Sequence, residues 1–287
     1  MKKIPFYLSI DLEDFTFDLM RSIGIEPRVN FDALMLGYKL ANDFSNDRLF
    51  SKKITFFTTG TVAQTYPELL QQIVNDGHEI ACHYHYHDLM FKESNNQIDT
   101  NLGLAKTAIF KACGKEPIGF RAPVFSIPKD RVDIFEVIEK HFLYDSSYVL
   151  YLNKYSKEEY FKSPPFTLSK LKEFPIVPKP VFNKKISVKS GGTFLRLFTK
   201  EMMKDVMMFN HESGFIPMVY MHPYDYLENK EFWVPLSDFI KSKKVSNLIK
   251  YPRQLQWSGL RNKTVFPKLE YLLESFEHQG PMSELLR

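Results

Sequence analysis

Five times along this chain a short apolar run stops at a polar residue capable of chemistry. Asp11 follows Ile4–Ile10, His83 follows 78–82, Arg121 follows Pro117–Phe120, Asp145 follows 142–144, and His222 follows Phe215–Met221. Another run, Ile54–Thr58, ends just before Gly60. Helical patterns lie between them. Leu69, Leu70, Ile73 and Val74 recur at helical spacing between Pro67, a first-turn residue, and the stop at Gly77. Asn101–Cys113 ends at Gly114, and Arg131–Lys140 is helical in pattern. This alternation predicts an α/β fold with a largely parallel sheet or barrel. Such folds collect their chemistry at the carboxyl ends of the strands, where all five polar residues fall.

Composition narrows the function classes. The 287 residues are 44% hydrophobic and 25% charged, which suits one large globular domain or a domain with an appendage. A net charge of +4, from 38 basic and 34 acidic residues, is too thin an excess to predict a nucleic-acid partner. Lys184, Lys185 and Lys189 read as a solvated loop. Cys82 and Cys113 cannot build a disulfide framework, and Cys82 reads as a buried inert thiol. The apolar run after Lys2 and Lys3 is too short for a signal peptide, and no stretch reaches the roughly 18 apolar residues of a membrane helix. The expectation is a cytoplasmic protein without a membrane span. Tyr151–Lys189 reads as irregular loops around a strand-like Phe174–Val177. From Phe232 onward come amphipathic pieces such as Leu269–Phe276, so residues 1–231 are expected to form the main domain. Residues 232–287 would be a C-terminal helical extension packed on it.

Cys82-His83-Tyr84-His85-Tyr86-His87-Asp88 is the most informative segment. His83 and His87 stand four apart, which on a helical turn points both imidazoles to one side. Two histidines and a carboxylate can hold a catalytic zinc with one position open. The competing reading is a chance spacing among eight histidines. Asp11, Glu13 and Asp14 offer the carboxylates, unless they form a surface acidic turn or a helix N-cap. His85 reads as surface or as a neighbour of the ligands, and His78 as a structural hydrogen-bonding residue.

In order along the chain come YLSIDLEDF, ITFFTTG, DGHEIACHYHYHD, GFRAPVF, LYDSS, EFP, SGGTFLR and MVYMHPYD. This set, spanning Lys3 to Tyr226, resembles the successive motifs of NodB-homology polysaccharide deacetylases (carbohydrate esterase family four). The subgroup with a D-x-E-D first motif is especially similar. The resemblance implies a distorted, incomplete, seven-stranded (β/α) barrel and removal of an acetyl group from an N-acetylated sugar. It implies Zn2+ or another divalent ion such as Co2+, Mn2+ or Ni2+. By position, Asp11 matches the general base toward the attacking water, and Arg121 the arginine that holds it. His222 matches the acid for the leaving amine, with Pro223 after it as a subgroup variant. Asp145 matches an acid that orients that histidine. Asp14, His83 and His87 match the metal ligands, with Glu13 the alternative to Asp14, because D-L-E-D departs from the commoner adjacent aspartates. With no export signal read, the implied substrate is a saccharide or a lipid- or nucleotide-linked glycan intermediate. The alternatives are hydrolysis of a ureide or cyclic imide at the same site, or a saccharide-binding relative without turnover.

Overall fold

The computed structural model describes residues 2–152, 168–227 and 232–287. Strand β1 (Ile4–Leu12) runs through its middle, buried on both faces from Phe6 onward. Successive side chains of a strand point to opposite faces, so β1 feeds two interiors. Phe6, Leu8, Ile10 and Leu12 pack outward into the large cluster shared with the surrounding helices. Tyr7 points inward with Phe57, Ala81, Tyr144, Met218 and Tyr220. Ser9 and Asp11 continue that inner row, which is how one strand delivers both core and chemistry.

Six further strands build the barrel wall: β2 (Thr55–Thr58), β3 (Glu79–Cys82), β4 (Gly119–Phe120), β5 (Tyr144–Asp145), β6 (Lys172–Glu173) and, on the other edge of β1, β9 (Met218–Met221). All pairings in this wall are parallel. Register keeps like with like: Asp11 sits opposite Phe57, Phe57 opposite Ala81, and Ser9 opposite Tyr220. The expected incomplete, seven-stranded (β/α) barrel is therefore present. Between β6 and β9 the chain forms an antiparallel hairpin, β7 (Lys179–Val181) with β8 (Ile186–Val188). The expected strand at Phe174–Val177 is displaced to Lys172–Glu173, with Ile176 adding a single bridge to Val149. Residues 153–167 of the expected loop region lie outside the described residues.

Two helices have clearer local causes than their apolar spacing suggested. Asn95–Cys113 starts at a capping box in which Ser94 and Gln97 satisfy each other's backbone N–H groups, and it ends at Gly114 with φ +69°. Phe31–Arg48 begins at an Asn30 cap and buries Leu34, Tyr38 and Ala41.

The C-terminal part departs from a purely helical extension. Several helices, from Leu236–Lys241 to Val265–Leu272, are followed by Phe276–His278, which forms β10, parallel to Ile4–Phe6 of β1. The chain then turns under the barrel. Met282 N–H donates to Thr55 Oγ1 at 2.7 Å and Ser283 N–H to Glu79 Oε2 at 3.1 Å. Glu79 also accepts from Thr55 Oγ1 and Tyr144 Oη, so this inward carboxylate is satisfied although burial raises its pKa. Met282, fully buried, joins the inner cluster as a plug. Met282→Ala should cost about 2–5 kcal/mol, read by urea unfolding. A loss below about 1 kcal/mol would show that the lower barrel collapses onto the gap.

Candidate metal centre and catalytic cleft

The carboxyl ends of β1, β3, β4 and β9 bring six expected residues together, and two others go elsewhere. His83 follows β3, where its backbone N–H still donates to Thr58 O at 2.7 Å. The chain does not enter a helix there: Tyr84 takes φ +70°, and His83 and His87 meet across an irregular turn. Their ring centroids lie 5.4 Å apart. His83 Nδ1 donates to the Arg121 carbonyl at 2.8 Å, which fixes the proton on Nδ1 and leaves Nε2 bare.

The carboxylate facing these rings is Glu13. Its Oε2 lies 2.5 Å from His87 Nε2 and 3.4 Å from His83 Nε2, yet no N–H of either ring is aimed at it as a hydrogen bond. One ligand atom from each of Glu13, His83 and His87 lies within 4.8 Å of the others. Glu13 Oε2, buried without an aligned hydrogen-bond donor beside two imidazole nitrogens, fits a divalent cation, and the N, N, O donor set suits zinc. The other Glu13 oxygen accepts from Tyr224 Oη at 2.7 Å, which aims the carboxylate. Burial would raise the Glu13 pKa, but the two imidazoles hold it well below the usual carboxylate range. His87, despite its own burial, is lifted to about 9 by Glu13.

Asp14, the residue favoured as third ligand, is occupied. It is the N-cap of the helix Phe15–Ser22: Oδ1 accepts from Phe17 N at 3.1 Å, and Oδ2 from Asn30 N at 2.7 Å and Tyr66 Oη at 3.4 Å. With both oxygens engaged by the local fold, Asp14 lies outside the triad, and Glu13 takes the position held open for it.

Asp11 Oδ1 accepts from Arg121 Nη1 at 2.7 Å. The same Nη1 donates to Ser9 Oγ at 2.8 Å, so two residues on one face of β1 share one guanidinium nitrogen. Asp11 Oδ2 lies 3.8 Å from His222 Nε2, leaving base and acid candidates side by side. His222 caps the short turn after β9 and stacks on Tyr224, with centroids 4.6 Å apart and planes 12° apart.

The carboxylate that orients His222 is Asp225 and not Asp145. His222 Nδ1 is 2.7 Å from Asp225 Oδ2, and Asp225 Oδ1 accepts from Arg196 Nε at 2.7 Å. Arg196 is fully buried and also donates to the carbonyls of Gln256, Trp257 and Leu260. Burial pulls the His222 pKa down, but the Asp225 carboxylate outweighs it and the net shift is upward. Asp145 instead accepts from Ser147 Oγ at 2.6 Å, and Ser147 Oγ accepts from Ala122 N at 2.7 Å. It holds the Arg121-Ala122 backbone from behind the cleft. The step of three from His222 to Asp225, the spacing across a helical first turn, was the available signal for the true partner.

His78 behaves as expected: Nδ1 accepts from Ile54 N at 3.0 Å and Nε2 donates to Asn42 Oδ1 at 2.9 Å. His85 is buried, not at the surface, and lies outside the triad.

Comparison with known proteins is consistent with this geometry. Residues 50–139 match the family model described as polysaccharide deacetylase. A peptidoglycan deacetylase-like protein of Gibberella zeae is 35% identical over 97 residues, covering 34% of this chain and 28% of that protein. The chain thus aligns with under a third of that relative's length. A crystal structure from Mycobacterium smegmatis, named for a polysaccharide deacetylase, superposes with a TM-score of 0.52. Identity is 16%, with 96% of this chain and 92% of that one covered, a likeness of fold. A carbohydrate esterase family four pseudoenzyme from Bacillus anthracis gives a TM-score of 0.46 at 13% identity, covering 100% of this chain and 66% of that one.

Replacing each carboxylate separates the two ligand assignments. Glu13→Gln should abolish stoichiometric zinc uptake, measured by elemental analysis after gel filtration. Asp14→Asn should keep the zinc and lose about 1 kcal/mol of stability through the weakened cap. The reverse pattern would restore Asp14 as the ligand.

Proposed function

We propose that this protein, whose residues 50–139 match the polysaccharide deacetylase family model, hydrolyses the N-acetyl amide of an acetylated sugar or saccharide. The observation that carries the reading is the pairing of Asp11 with His222 beside the Glu13/His83/His87 triad, since metal binding alone needs neither. A divalent cation held by the triad supplies Lewis acidity toward the amide carbonyl and toward water. Asp11, held in place by its charge-assisted contact with Arg121, takes the proton of the attacking water. His222 delivers a proton to the departing nitrogen, without which an amine leaves poorly from an amide. Asp225 keeps that imidazole charged and fixed through Nδ1, so that Nε2 is the nitrogen facing the cleft. Arg196 in turn holds Asp225 in place. Zinc is the preferred ion on the donor set, and a cytoplasmic glycan intermediate is the proposed substrate source.

The zinc-loaded protein should release acetate from N-acetylhexosamines or their oligomers and leave cyclic imides and ureides intact. Hydrolysis of an imide alone would transfer the site to another carbon–nitrogen substrate. Asp11→Asn should lower kcat by roughly 10²–10⁴-fold with metal content unchanged. Persistence of full activity would remove Asp11 as the base.

The pH profile tests Asp225 separately. A raised His222 pKa keeps the acid protonated to higher pH, and activity falls above that value as the proton is lost. In Asp225→Asn the lowering effect of burial is no longer opposed by that carboxylate, so the alkaline limb of kcat should move to lower pH. An unmoved limb would mean that another group supplies the proton.

A further inference from the structure

Lys189 was expected to belong to a solvated loop with Lys184 and Lys185, and it does not. Lys184 and Lys185 are exposed in the turn between β7 and β8. Lys189 follows β8 on a backbone pinned on both sides. Val188 is fully buried, and Ser190 Oγ donates to the Met218 carbonyl at 2.5 Å. Gly191 bridges to Tyr220, where an added Cβ would lie 2.3 Å from the Tyr220 carbonyl oxygen. From this anchored root the lysine side chain lines the cleft of about 190 Å³ that also holds Asp11, Glu13, His87 and His222.

Every other charge in this cleft has a counter-charge. Asp11 has Arg121, Glu13 has the two imidazoles, and His222 has Asp225. The Lys189 ammonium lies 4.5 Å from the centroid of the Phe125 ring. Among the described residues it makes no hydrogen bond and no ion pair. Burial pushes its pKa down to about 8 with no carboxylate opposing the shift, so it still carries charge at neutral pH. A half-buried cation given only an aromatic face is incompletely compensated. Its missing partner has to arrive with whatever enters the cleft.

We propose that Lys189 is a specificity residue that binds an anionic group, a carboxylate or a phosphate, on the sugar whose amide is cleaved. The inference rests on the hydrolytic reading above for the word "cleaved" and on the unpaired cation for the rest. Because Lys189 lines the same cleft as the base and acid candidates, the anion belongs to the same sugar unit as the amide or to its immediate substituent.

The test compares N-acetylglucosamine with its 6-phosphate and with N-acetylglucosaminuronate, using the zinc-loaded protein and its Lys189→Gln and Lys189→Arg variants. One anionic sugar should exceed the neutral one by about tenfold or more in kcat/KM, and which one leads identifies the source of the anion. The preference should vanish in Lys189→Gln, persist in Lys189→Arg and weaken as salt rises. Equal turnover of all three sugars, or an equal fall for neutral and anionic sugars in Lys189→Gln, overturns the proposal. Calorimetric binding of the same sugars to metal-free protein separates it from the hydrolytic reading. Lys189-dependent tightening for an anionic sugar without any turnover would sink hydrolysis and keep the anion site. Turnover with no anionic preference does the opposite.

Discussion

The burial of one guanidinium organises the working end of this molecule. Arg121 has no exposed surface, and a charge so placed is tolerated only when every donor is answered. Asp11 and Ser9 answer Nη1, while Ser146 answers Nε through its carbonyl and Nη2 through its hydroxyl. The Phe57 ring lies 4.1 Å from the guanidinium carbon. Three segments far apart in sequence are thereby tied to one planar cation. The Arg121 carbonyl also sets the His83 tautomer, so a single residue fixes Asp11 through its side chain and His83 through its backbone.

That arrangement depends on strand alternation. A parallel barrel wall buried on both faces usually reads as a continuous apolar run. Here β1 is apolar throughout on its outward positions, and on its inward positions changes from Tyr7 to Ser9 to Asp11 toward the mouth. The polar inward residues are affordable because each meets a partner inside the barrel, as Glu79 does at the opposite end with Thr55, Tyr144 and Ser283.

Much of this was legible in the chain itself. Apolar runs ending in Asp11, His83, Arg121 and His222 marked the strand ends, because burial and chemistry leave different residue types on either side of the boundary. What was not legible was decided by local geometry. Glu13 and Asp14 are adjacent acids, and only the helix beginning at Phe15 determines that one caps and the other faces the histidines. Asp145 follows an apolar run as a catalytic acid would, yet the Ser147 turn diverts it. Asp225 was hidden in the opposite sense, since a carboxylate three residues past His222 resembles an ordinary helix start. Lys189 was obscured by its exposed neighbours. β10 was taken for helix because Leu269–Phe276 keeps its apolar pattern past the end of the helix at Leu272.

The plug at Met282 has a temporal meaning. Its sulfur lies 3.8 Å from Arg121 Nη2, across a sequence separation of 161 residues, and its turn seals the barrel on the side away from the cleft. If β1 through β9 paired before this stretch docked, the buried arginine would face an open, wettable lumen. The site would acquire its dry electrostatic setting only when that turn docks. A nascent chain stalled short of Met282 would hold the reactive residues in place in a solvent that weakens their mutual forces. Closure of the cleft's floor thus depends on a contact across 161 residues, the kind of long-range closure that is slow to form.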